Sequence, residues 1–127
     1  MLLPGDLRDE GWCREVVRQA VGCFGKLDVL VLNQGVQFPQ ESILYISREQ
    51  LEDTFRTNLF PLFYITQEAL PHLHPGSSII STASVTAYAG HPQLVDYSAT
   101  KGAIQLFGRI HYDFGCRHTD ASRRAAV

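Results

Sequence analysis

The chain has little cysteine, almost no net charge and no long apolar run. Its three cysteines, Cys13, Cys23 and Cys116, are odd in number and form no CxxC pair. That reads as free thiols in a reducing compartment rather than a disulfide framework. A formal net charge of -2 offers no basic surface to hold nucleic acid or an anionic membrane, so neither is expected as a partner. No apolar stretch approaches a membrane span, and the residues before Asp6 are too few for a signal peptide. A cytoplasmic setting is the expectation. His72 and His74 flank Leu73 with no carboxylate or cysteine beside them. They read as residues of a helix end, and no metal site is expected. There is no internal repeat and no low-complexity tract. What remains is a chain of 127 residues, 45% hydrophobic and 19% charged, ordinary for one globular domain.

The apolar pattern alternates between two periods. Residues 2–7 (LLPGDL) fit a short strand, weakened by Pro4 and Gly5. In residues 9–24, Val16, Val17, Ala20, Val21 and Phe24 recur at three-to-four spacing, the pattern of an amphipathic helix that Gly25 can end. Residues 27–32 (LDVLVL) are nearly all apolar, which predicts a parallel strand buried on both faces. Ser47 followed by Gln50 is a capping-box pattern. It opens a long helix that runs to about Leu70 and is kinked at Pro61, which has no N–H for the carbonyl of Thr57. Residues 77–84 read as a second buried strand, residues 86–96 as a loop, and residues 97–112 as a third helix. Helix, strand, helix, strand, helix is the order of an α/β layered fold. Residues 111–127 lose apolar periodicity and read as a polar tail carrying Cys116.

The chemistry lies in SVTAYAGHPQLVDYSATK. Tyr97 and Lys101 are four apart, so on a helix they share one face. A lysine ammonium beside a phenol favours phenolate. A phenolate can take a proton from a substrate hydroxyl, and the phenol can return one to a carbonyl. Ser84 closes a strand, where parallel sheets place ligands, and its hydroxyl can hydrogen-bond a substrate oxygen. Proton removal from a carbinol leaves a hydride that no side chain accepts, which implies a nicotinamide or flavin cofactor. No histidine is placed to activate Ser84, which argues against a hydrolase. His91, in the loop before Tyr97, reads as a solvent-exposed residue.

These residues and their order resemble the short-chain dehydrogenase/reductase family over roughly residues 3–110. Tyr97-Ser98-Ala99-Thr100-Lys101 is similar to the family's active-site segment, and Ser84 precedes Tyr97 by thirteen residues, as in the family. Asn58 in TFRTNLF matches the helix asparagine that completes a tetrad. Leu32-Asn33-Gln34-Gly35 is similar to an Asn-Asn-Ala-Gly turn, departing at Leu32 and Gln34. Asp6 in PGDL resembles the aspartate at the adenine ring.

The resemblance implies a role for each position. Tyr97 is the general acid/base. Lys101 favours its phenolate and binds the nicotinamide ribose. Ser84 orients the substrate oxygen, and Asn58 holds a water that links Lys101 to solvent. Asp6, Asn33 and Gly35 lie toward the adenosine. The cofactor is NAD or NADP, and the substrate a small secondary alcohol or ketone. Intact members pair through the Asn58 and Tyr97 helices as homodimers or homotetramers. The wording around the tetrad resembles glucose, ribitol and general alcohol dehydrogenases.

The resemblance also implies parts that these 127 residues do not contain. The Thr-Gly-x-x-x-Gly-x-Gly turn that cradles pyrophosphate is not in the sequence. Neither are the first two strands of the sheet, the second of which sets NAD against NADP, nor its C-terminal strands. The expected architecture is therefore a partial Rossmann-type doubly wound parallel sheet over residues 1–110, with residues 111–127 as a divergent tail. The strand at residues 27–32 is expected to have an exposed edge, an aggregation hazard. Two expectations follow from the sequence: an oxidoreductase of this family, or a catalytically silent truncated product that associates with an intact subunit.

Overall fold

The computed structural model describes residues 1–114, with side chains through Arg109. Helix α1 spans Glu10–Phe24, strand β1 Leu27–Leu32, α2 Arg48–Asn58, α3 Phe60–Ala69, β2 Leu73–Ser81, α4 Thr86–Ala89 and α5 Val95–Phe114. β1 and β2 form a parallel pair, part of the doubly wound α/β sheet that the sequence predicts. Cys116 and the expected polar tail from residue 115 onward lie outside the described residues.

Local chemistry sets the helix ends. The Asp9 carboxylate accepts from the N–H groups of Gly11 and Trp12 and so caps α1. Gly25 ends that helix in the left-handed region, at φ 76°, and its N–H returns to the Val21 carbonyl. Ser47 Oγ accepts from the Gln50 N–H at 3.1 Å, one arm of the expected capping box. Gln50's own side chain turns away, to Phe38 and Asp96.

The single helix expected over residues 47–70 is two helices. Leu59 breaks them, and the Leu62 N–H reaches the Leu59 carbonyl at 3.1 Å in a tight turn. Pro61 sits in the first turn of α3, where the lack of an N–H is tolerated because first-turn donors have no partner within their own helix. Pro61 therefore starts a second helix where a kink was expected.

Three further expectations are corrected. Residues 2–7 form no strand, and Leu2 is exposed. Pro4 removes a ladder donor there, and no neighbouring strand is present among the described residues to pair with. Regular pairing on β2 joins Val29–Leu32 to residues 78–81, after an irregularity that lets His74 to Ser77 loop out. The strand therefore stops three residues before Ser84. β1 is buried on one face only. Leu32 is 3% exposed and joins the core, whereas Val29 and Val31 are 55% and 57% exposed. The core that covers Leu30, Leu32 and Ile79 comes from α1, α3 and α5, through Cys13, Val17, Leu62, Ile65, Ala69 and Ile104.

α5 runs alongside α2 and α3 in the same direction. The contacts progress in step: Thr54 with Asp96, Asn58 with Thr100, and the Phe63 ring edge-on to Phe107 at 5.1 Å. The first two of these contacts are polar and the last is apolar. The site forms at the polar end.

Candidate active site

Three segments meet where the strands end: residues 33–40 after β1, residues 82–84 after β2, and the first turns of α5. The Thr82 N–H donates to the Leu32 carbonyl at 3.0 Å, so the two strand exits stay side by side. This is where open parallel sheets bind ligands.

Asn58 is fully buried. Its Oδ1 accepts from the Val36 N–H at 2.7 Å, and its Nδ2 donates to the Val36 carbonyl at 2.9 Å and to Thr100 Oγ1 at 3.1 Å. One side chain thus satisfies both backbone groups of Val36 and fastens the β1 exit loop between α2 and α5. Without it, two part-buried backbone groups would lose their partners. Thr100 Oγ1 in turn donates to the Tyr97 carbonyl at 2.7 Å.

Lys101 is only 3% exposed, and among the described residues it forms no ion pair with a carboxylate. Its Nζ donates to the Thr82 carbonyl at 2.8 Å and lies 5.7 Å from the centre of the Tyr97 ring. Burial lowers its pKa from the ordinary lysine value. Gly35 lies next to this ammonium and places no side chain on it. A Cβ there would stand 3.5 Å from Lys101 Nζ and 3.8 Å from Asn58 Oδ1, so any longer side chain would cover the cation.

Ser84 lies just ahead of α4. Its Oγ accepts from the Thr86 N–H at 3.2 Å and from the Thr86 hydroxyl at 3.1 Å. A serine hydroxyl has two acceptor positions and one proton. Both acceptor positions are used by Thr86, which leaves the O–H to donate.

The structure thus gathers Asn58, Lys101, Tyr97 and Gly35, and ties the Ser84 loop to them through Thr82. Asn33 is exposed in the first position after β1. Asp6 stands apart: its carboxylate is held by Arg8 at 2.7 Å, and Arg8 reaches on to Asp53 of α2 at 2.6 Å. The hydrogen bonds from Arg8 keep the Asp6 carboxyl below the usual carboxylate range.

Sequence reasoning missed the groups that hold these residues in place. Asp96, 3% exposed, accepts from Thr54 Oγ1 at 2.8 Å, from Gln50 Nε2 at 3.1 Å and from the Tyr97 N–H at 2.9 Å. A signal was present. Gln50, Thr54 and Asn58 recur every four residues along one stripe of α2, where an apolar stripe would face a core. Asp96 and Thr100 repeat that spacing on α5.

A sequence model described as short chain dehydrogenase matches residues 1–111. The chain belongs to the short-chain dehydrogenase/reductase family. It is 58% identical over 109 residues to an uncharacterized oxidoreductase, YhdF, of Bacillus subtilis (strain 168), covering 86% of this chain and 38% of that protein. It is 47% identical over 107 residues to the chloroplastic NADPH-dependent aldehyde reductase 1 of Arabidopsis thaliana, covering 84% of this chain and 37% of that protein. Among solved structures, a short-chain dehydrogenase/reductase of Brucella melitensis described as a glucose/ribitol dehydrogenase superposes with a TM-score of 0.80 at 31% identity, covering 86% of this chain and 46% of the other. The chain spans about 38% of the length of the curated relatives it matches.

Proposed function

We propose that this chain carries the proton-transferring group of an NAD- or NADP-dependent oxidoreductase that interconverts a small alcohol and its carbonyl compound. The observation that carries the reading is Lys101: a buried ammonium beside the Tyr97 ring, at the strand exits, with no side chain from Gly35 packed against it.

The residues fit the nicotinamide ribose end of the cofactor. Among the described residues Lys101 Nζ makes one hydrogen bond, to Thr82, and an ammonium has three donors. The remaining donors suit ribose hydroxyls. A bound nicotinamide supplies or accepts the hydride. Tyr97 gives a proton to the carbonyl oxygen in reduction and takes it from the hydroxyl in oxidation. Ser84 donates its free O–H to the same oxygen as charge develops there. The Asn58 amide is engaged with Val36 and Thr100, so its part is positional. A water linking Lys101 to solvent would rest on backbone carbonyls at the α2–α3 break, where Pro61 leaves Thr57 without its helical donor.

The relatives described as an aldehyde reductase and a glucose/ribitol dehydrogenase support an alcohol–carbonyl pair as substrate. Asp6 and Asn33 are assigned to the adenosine side on the family pattern alone. Exposed Leu51, Phe60, Phe63 and Leu106 on α2, α3 and α5 support pairing with a second copy in a homodimer or homotetramer. Among the described residues no helix is long and apolar enough to cross a membrane.

A second reading is favoured by the bare face of Val29, Val31 and Ile80. In it the chain is catalytically silent and associates with an intact subunit. Turnover separates the two. With NADH or NADPH and a panel of small aldehydes and ketones, the first reading predicts nicotinamide oxidation that Tyr97→Phe cuts roughly a hundredfold or more. No oxidation above the Tyr97→Phe background supports the second.

A further inference from the structure

We infer that Asp96 is a positioning residue that sets where Tyr97 stands. The inference rests on the proposed role of Tyr97 for its functional meaning, and on the geometry around Asp96 for everything else.

Three donors converge on one buried carboxylate, and they come from two elements. Oδ2 takes the Thr54 hydroxyl and the Gln50 amide, both from α2. Oδ1 takes the Tyr97 N–H, one of the first-turn donors of α5 that have no partner within the helix. The carboxylate also lies at the positive end of that helix. The Tyr97 backbone is therefore fixed to α2 by its immediate neighbour and, through its carbonyl, by Thr100, which Asn58 holds. Both ties run to the helix that carries Asn58. Gln50 extends the connection to the β1 exit loop, with its amide shared between Asp96 and the Phe38 carbonyl and its Oε1 accepting from Gln40 at 2.6 Å. The Gln40 N–H meets the Gln93 carbonyl, just ahead of α5, at 2.9 Å. The loop, α2 and the start of α5 form one connected polar unit with Asp96 at its centre.

A side chain with two acceptor oxygens answers this arrangement. Asparagine has one acceptor oxygen and a donor group. If the oxygen keeps Tyr97, the amide N–H₂ faces the Gln50 donor. If Gln50 flips to accept, it loses Phe38 and Gln40. Asp96→Asn preserves shape and leaves donor against donor. The expected result is a displaced α5 start, with Tyr97 moved relative to Lys101 and Ser84.

The test is NMR of the purified full chain labelled with ¹³Cζ-tyrosine, with the Tyr97 signal assigned by its loss in Tyr97→Phe. Asp96→Asn is the first variant. Thr54→Val, which removes one donor and keeps the carboxylate, is the milder second and decides the matter if Asp96→Asn does not fold. The inference predicts that the Tyr97 resonance shifts by more than its linewidth in the variant read, while Tyr64, on α3, stays in place. Lowered thermal stability with the Tyr97 resonance unmoved would overturn it, leaving Asp96 a structural residue only. NADPH titration of the unsubstituted chain, run alongside, reports on the functional reading independently, because the Tyr97 signal needs neither cofactor nor turnover.

Discussion

Asn58 and Lys101 show how much of this site rests on single buried polar groups. Asn58→Ala would leave the Val36 N–H and carbonyl without partners and free Thr100. With about 1 kcal/mol for each part-buried group left unpaired, and the lost packing of a buried side chain besides, the expected loss is roughly 2–3 kcal/mol in urea unfolding. A loss under about 1 kcal/mol would mean that the loop is held by other contacts. Lys101 acts in the opposite sense on stability. Its folded pKa is lowered by burial, so between that value and the unfolded value of about 10.4 the unfolded chain binds more protons. The fold carries a penalty at lower pH that is relieved as pH rises through this window. Stability of the native chain minus that of Lys101→Met should therefore increase with pH up to about 10.4; a flat difference would contradict the burial of the charge. Cys13, fully buried with its Sγ donating to the Leu7 carbonyl at 3.0 Å, has its pKa pushed up to about 11, chiefly by burial and then by Asp9. Cys23 is exposed. Site-mapped thiol labelling near neutral pH should modify Cys23 and spare Cys13 until the chain unfolds; equal rates would place Cys13 at the surface.

At the scale of elements, what could be read in the sequence was what is local. The helical pairing of Tyr97 with Lys101 follows from a spacing of four, and the helix end at Gly25 and the cap at Ser47 follow from residue type. Asn58 could be named from its motif, but its partners could not, because Val36 lies 22 positions away and Thr100 42. Asp96 was hidden for the same reason: its α2 donors become neighbours only once that helix packs along α5. β1 went astray differently. LDVLVL carries apolar residues on both faces, and composition does not say which face a core will cover. The helices cover Leu30 and Leu32. Leu32→Ala should therefore cost about 2–4 kcal/mol, whereas Val31→Thr should stay within about 0.5 kcal/mol and lessen aggregation. Comparable losses for the two in denaturant unfolding would contradict a sheet covered on one side.

At the scale of the whole molecule, the site is nearly assembled around a small core. Two parallel strands and the helices on one face hold Asn58, Tyr97 and Lys101, and among the described residues seven buried apolar side chains form the core that supports them. The proposed cofactor contact is the nicotinamide ribose beside Lys101, whose Nζ among the described residues makes one hydrogen bond, to the Thr82 carbonyl. The most direct measurement is a fluorescence titration of the purified chain with NADH and NADPH, repeated with Lys101→Ala and with oligomeric state followed in parallel. The account predicts saturable binding of at least one dinucleotide that Lys101→Ala weakens about tenfold or more, the loss of a charge-assisted hydrogen bond. No saturation with either dinucleotide, or saturation that Lys101→Ala leaves unchanged, would contradict the claim that this buried ammonium is a nicotinamide ribose site.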